Sequence, residues 1–186
     1  ESMELREVKT VMPAHRRSRG RRTYYTWVSD PPHTFHFKMV DGLIAHYRDR
    51  GDATIELRPA KEPYGKAVAS AEIPPDGKVR DVSMRTQYDG LHRIVLGDGM
   101  DSSRLEWEPG TPMTLKLDFG NHFDYGPQVL YFYVPRGTKQ IGGYADGLNG
   151  KLIGPNGKTA YTFKNQMGYF RTPVPEGADG QLWTFS

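Results

Sequence analysis

The sequence predicts an all-β protein in which about a dozen short strands form two antiparallel sheets packed face to face. Three observations predict it. From Thr23 onward, runs of alternating apolar and polar residues recur about every 8–12 residues, with successive side chains sent to opposite faces. Gly, Pro, Asp and Asn separate those runs, and the chain holds 21 Gly and 14 Pro in 186 residues. No window beyond Thr23 repeats apolar residues at the 3.6-residue helical period through three turns.

Residues 1–22 read as a basic N-terminal arm or linker, and residues 23–186 as the β-sandwich domain. The arm holds seven Lys and Arg against three acids, whereas the remaining residues hold 18 against 19. All the net basicity of the chain (+3) therefore sits in the arm, and the neutral body offers no nucleic-acid surface. Arg16, Arg17, Arg19, Arg21 and Arg22 suit either an edge segment leading in from a preceding domain or a tether for a polyanion.

Rings occupy both faces of the first strand, 24–28, which contains Tyr24, Tyr25 and Trp27. The next, 34–40, places Phe35, Phe37 and Met39 on one face. Asp41-Gly42 then reads as a two-residue hairpin turn into a strand at 43–48, with Val40 opposite Leu43 and His36 opposite Tyr47. On that register His36 and His46 are one step apart, which argues against a metal pair. Strands at 53–58, 66–73, 79–86, 91–96, 104–107 and 112–119 follow. The C-terminal third reads as six separate strands: 128–134, 139–145, 151–153, 159–163, 169–174 and 181–185.

Several chemistries are excluded. The chain has no Cys, so it has no disulfide framework, no Cys-ligated zinc and no thiol nucleophile. No run of apolar residues is long enough to span a membrane. Nucleophile-elbow, phosphate-cradle and paired-His metal motifs do not occur. The chain opens at Glu1 rather than Met, which reads as a segment of a longer protein, so the missing signal peptide carries no information about location.

The final 60 residues carry a resemblance. An aromatic strand, Leu130 to Val134, ends in Pro135-Arg136-Gly137-Thr138; Gly154-Pro155-Asn156-Gly157-Lys158 follows, then Pro173-Val174-Pro175-Glu176-Gly177, then Asp179-Gly180-Gln181-Leu182-Trp183-Thr184-Phe185. This order resembles the C-terminal accessory modules of large secreted bacterial polysaccharide-acting proteins, which are jelly-roll, carbohydrate-binding-module-like β-sandwiches. The resemblance covers about a third of the chain. It implies a jelly-roll-like sandwich, a secreted or periplasmic bacterial parent, a neighbouring catalytic domain in that parent, and a non-catalytic role. It transfers no catalytic residue.

Sugar rings offer an apolar C–H face and a rim of hydroxyls, so a glycan site needs exposed aromatic rings beside paired hydrogen-bonding groups. Loop 119–127 holds the densest such mixture, with His122, Asp124 and Tyr125 as candidates; alternatively its rings cap the core edge. Tyr88, next to a turn at Asp89-Gly90, is a second candidate, though an ordinary hairpin is the better explanation of it. Asn165 and Tyr169 form a third, read as a polar loop tip with an aromatic exit, and Trp27 a fourth. Trp107 and Trp183 share faces with Leu105 and Phe185 and read as core. No cofactor is required.

Asp98 and Asp101, three apart in a Gly-rich loop, could hold a structural Ca²⁺ with help from backbone carbonyls, or form a plain solvated turn. The enzymatic alternative is a jelly-roll polysaccharide lyase, for which Arg85, Gln87, His92, His122 and Tyr133 supply the residue types. The Gln-x-His triplet and Tyr-Phe-Lys strand of such lyases are missing. The expected function is therefore glycan binding by a non-catalytic module, the alternative a structural module that packs on its catalytic neighbour.

Overall fold

A computed structural model describes residues 17–60, 66–116 and 129–186, together with the backbone of 122–123. The chain is all-β, and every pairing between its strands is antiparallel among the described residues. It divides into two compact units, Met12–Tyr125 and the C-terminal part from Gly126 to Ser186.

The first unit contains β1 (Ser18–Arg19), β2 (Arg22–Val28), β3 (His33–Val40), a 3₁₀ turn (Ala45–Tyr47), β4 (Ala53–Pro59), β5 (Ala69–Ile73), β6 (Arg80–Thr86), β7 (Gly90–Gly97), β8 (Arg104–Trp107), β9 (Met113–Leu115) and β10 (His122–Phe123). A five-stranded sheet runs in the order β5-β4-β7-β2-β9 and a three-stranded sheet in the order β6-β3-β8. Alternation decides which side chains go inside. Tyr24, Val28, Ile55, Leu57, Ile94 and Leu96 come from the larger sheet, and Phe35, Phe37, Met39, Val82, Met84 and Leu105 from the smaller. All twelve join one buried cluster, so the two sheets form a sandwich around a single core.

Two expectations are corrected here. Residues 43–48 do not form a strand: 45–47 make the 3₁₀ turn, and β3 pairs with β6 and β8 instead. Gly42 is the physical reason. Its φ of +78° turns the chain out of the sheet, and a Cβ there would lie 2.2 Å from the Pro75 carbonyl oxygen, so only glycine permits this close crossing. His36 consequently pairs with Ser83, not with Tyr47, and its ring nitrogen meets the Ser83 hydroxyl at 3.1 Å. Strands expected at 66–73 and 112–119 are shorter among the described residues, at Ala69–Ile73 and Met113–Leu115.

The fold also reaches upstream of Thr23. Arg22 opens β2 and is buried, with its guanidinium donating to the Ser103 hydroxyl (2.7 Å) and the Ser18 carbonyl (3.3 Å). Arg19 stacks its guanidinium over the Tyr47 ring at 5.3 Å.

The second unit contains β11 (Leu130–Val134), β12 (Gln140–Ile153), β13 (Thr159–Pro173) and β14 (Gln181–Phe185), in the order β11-β14-β12-β13. Four of the expected short strands merge into the two long ones. The segments left between those expected strands, Asp146 to Gly150 and Asn165 to Gly168, are β-bulges within a continuous hairpin, with register shifts between Ala145 and Leu148 and between Leu148 and Gly150. Positive φ at Gly147, Gly150, Asn165 and Gly168 absorbs the extra residues. The bulges bend the hairpin back on itself: the Thr172 hydroxyl donates to the Ala160 carbonyl, twelve residues away, at 3.2 Å. Phe163 meets Phe170 edge to face at 4.8 Å inside the bend. Trp183, almost fully buried, fills this core with Val134, Ala145 and Leu152 and donates its indole N–H to the Ala178 carbonyl at 2.8 Å.

Candidate functional site

The bend of β12 and β13 sets the face that carries rings. Gln140, Gly142 and Tyr144 alternate outward along β12, and Pro173, Arg171 and Tyr169 along β13. Register places Tyr144 directly opposite Tyr169. Their rings stand edge to face, with centroids 5.3 Å apart and planes at 78°. Neither is inside: Tyr144 is 55% exposed and Tyr169 87%. Two residues along, exposed Arg171 stands opposite Gly142, which puts no side chain beside it. The arrangement offers one open aromatic face, a second ring as a side wall, and a charge-bearing hydrogen-bond donor on the same surface.

Tyr169 was legible in the sequence; its partner Tyr144 was not. Tyr144 falls in the strand expected at 139–145 but was not singled out there, and the signal that finds it is the two-residue alternation of Gln140, Gly142 and Tyr144 against Tyr169, Arg171 and Pro173. Asn165, expected at a loop tip, lies instead within β13 at the bulge, and its amide N–H donates to the Asn149 side chain at 2.8 Å. It braces the bend that presents the tyrosines.

The other candidates are scattered. Trp27 lies on the outer face of β2, 36% exposed and paired with Leu91 of β7. Tyr88 is 47% exposed in the segment between β6 and β7, with its amide N–H on the Thr86 hydroxyl at 3.1 Å. Asp124 and Tyr125 lie outside the described residues, and His122 is described only through the pairing of its backbone with Arg19. His92 is fully buried: its Nδ1–H donates to the Gly90 carbonyl (3.0 Å), and its Nε2 accepts from the Thr86 hydroxyl (2.9 Å). Burial disfavours the imidazolium and lowers the His92 pKa below 6.5.

The loop carrying Asp98 and Asp101 is not a solvated turn. Asp101 is completely buried and Asp98 nearly so. Asp98 accepts from the amides of Gly20 and Met100, and Asp101 Oδ1 from the Ile44 amide at 3.0 Å. Thus the loop is clamped between the segments at 18–20 and 41–44. Asp41 joins it from the end of β3, also completely buried, and both its carboxyl oxygens lack hydrogen-bond partners. Burial pushes its pKa up to about 7; the nearby Gly42 amide opposes this, and the charges of Asp101, Asp98 and Asp52 add to it. Among the described residues, no group of three or more His, Cys, Asp or Glu is arranged to hold a metal ion. No helix among them is long and apolar enough to cross a membrane.

Comparison with known proteins places nothing beside this chain: no family model, no curated protein and no solved structure matches it.

Proposed function

We propose that this chain is a non-catalytic carbohydrate-binding module, jelly-roll-like in type, that serves a secreted bacterial polysaccharide-degrading protein. The Tyr144–Tyr169 pair carries the reading. An edge-to-face pair that belonged to a core would be covered, whereas these two rings keep most of their surface in water at a hydrophobic cost that folding alone does not require. A pyranose laid on one ring covers that apolar surface while its hydroxyl rim reaches Arg171. The resemblance of residues 128–185 to accessory modules supports the same assignment, with polysaccharide and a neighbouring catalytic domain of the parent as partners.

The test is affinity electrophoresis of the full chain through gels containing neutral, uronate-rich or sulfated polysaccharides, beside the Tyr144→Ala and Tyr169→Ala variants. Retardation by a glycan that both variants weaken is the expected result. Retardation by no glycan would overturn the reading and leave the tyrosines to a protein neighbour, as in a structural module.

A further inference from the structure

We propose that Asp41 and Asp101 bind a calcium ion within the sandwich unit. Three carboxylate oxygens there have no hydrogen-bond partner: both of Asp41 and Oδ2 of Asp101. Both side chains are fully buried. Unpartnered carboxylate oxygens are among the costliest groups to bury, and they persist where another ligand satisfies them. The charge balance favours a cation. Asp98 is a third acid in the same loop, and Asp52 adds its charge from the segment before β4.

Gly99 explains why Asp52 comes so close. Its φ is +58°, and a Cβ would lie 2.4 Å from the Gly51 carbonyl and 2.9 Å from the Asp52 carbonyl, so only glycine lets the two segments touch. Three arginines near the loop donate to uncharged acceptors, among them Arg17 to the Leu43 carbonyl at 3.4 Å. Arg22 donates to Ser103 and Ser18, and Arg48 donates to the Gly42 carbonyl at 3.0 Å.

Calcium fits this donor set better than zinc or magnesium. It takes six to eight oxygens in flexible geometry, mixing carboxylates with main-chain carbonyls and water. Two side chains with open oxygens fall short of a full carboxylate cage, so main-chain oxygens of the surrounding loops and water would complete the shell. Magnesium demands a tighter octahedron, and zinc prefers nitrogen or sulfur. The site is independent of the tyrosine pair and of the glycan reading.

The experiment is calcium titration of the chelator-treated full chain at pH 8, followed by calorimetry and by thermal unfolding. One calcium per chain is expected, with the unfolding midpoint raised by about 5–10 °C in millimolar calcium. Magnesium should give a much smaller rise. Asp41→Asn and Asp101→Asn should abolish the heat of binding, and Asp41→Asn should unfold at a higher temperature than the parent in chelator because it removes an unpaired buried charge. That higher midpoint also shows that the variant folds. An unchanged midpoint and no binding heat in the parent chain would overturn the proposal, as would an undiminished calcium response in both variants.

Discussion

Single residues decide how the exposed surface is read. Tyr169 and Tyr144 are exposed, so Tyr169→Ala should change stability by about 1 kcal/mol or less while weakening glycan retardation at least about tenfold. Urea unfolding together with affinity electrophoresis checks both halves. His92 gives the opposite kind of residue, one that acts through the interior. Because its folded pKa lies below 6.5, the stability that its neutral ring contributes is fully present above that value and is lost as the pH falls below it. His92→Asn should therefore cost about 1–3 kcal/mol at pH 7.5, by stranding the Thr86 and Gly90 groups, and less at pH 5.5. Urea midpoints of parent and variant at the two pH values measure the difference. The burial of Asp98 and Asp101 was not legible in their own loop, because it comes from the segments at 18–20 and 41–44 folding over it.

At the scale of elements, alternation was a sound guide wherever both faces of a strand had distinct environments. Phe35, Phe37 and Met39 face inward as their spacing indicates, and Trp183 with Phe185 does the same in β14. Glycine was the ambiguous letter. A turn and a bulge draw on the same residues with positive φ, so 146–150 and 165–168 could not be told from loops by composition. Asp41-Gly42 showed the converse, with turn chemistry present and no hairpin following. The bulge account makes a graded prediction. Gly168→Ala, at φ +98° in open space, should cost about 1–2 kcal/mol from backbone strain alone. Gly150→Ala should cost more, because at φ +151° its new Cβ would also meet the Ser186 carbonyl oxygen at 2.5 Å. Equal costs for the two, read from urea midpoints, would contradict the account.

On the scale of the whole molecule, the sequence was read as one sandwich over 23–186, and the structure distributes the strands over two compact units with separate cores. Nothing in the alternation marks that division, since both cores draw on the same period and residue types. Each core should therefore answer to its own cavities. Leu57→Ala should cost about 2–5 kcal/mol and speed amide exchange in β2, β4 and β7, whereas Trp183→Ala should do so in β11 to β14. Hydrogen exchange read strand by strand checks this.

The central claim is that the tyrosine face of the bent hairpin holds a sugar. The direct measurement is a backbone amide titration of the full chain by NMR, using oligosaccharides released from the same neutral, uronate-rich and sulfated polysaccharides. The account predicts saturable shifts concentrated at 142–146 and 167–171, and their loss in Tyr169→Ala. Shifts centred on Trp27 and Tyr88, or none with any oligosaccharide, would contradict it.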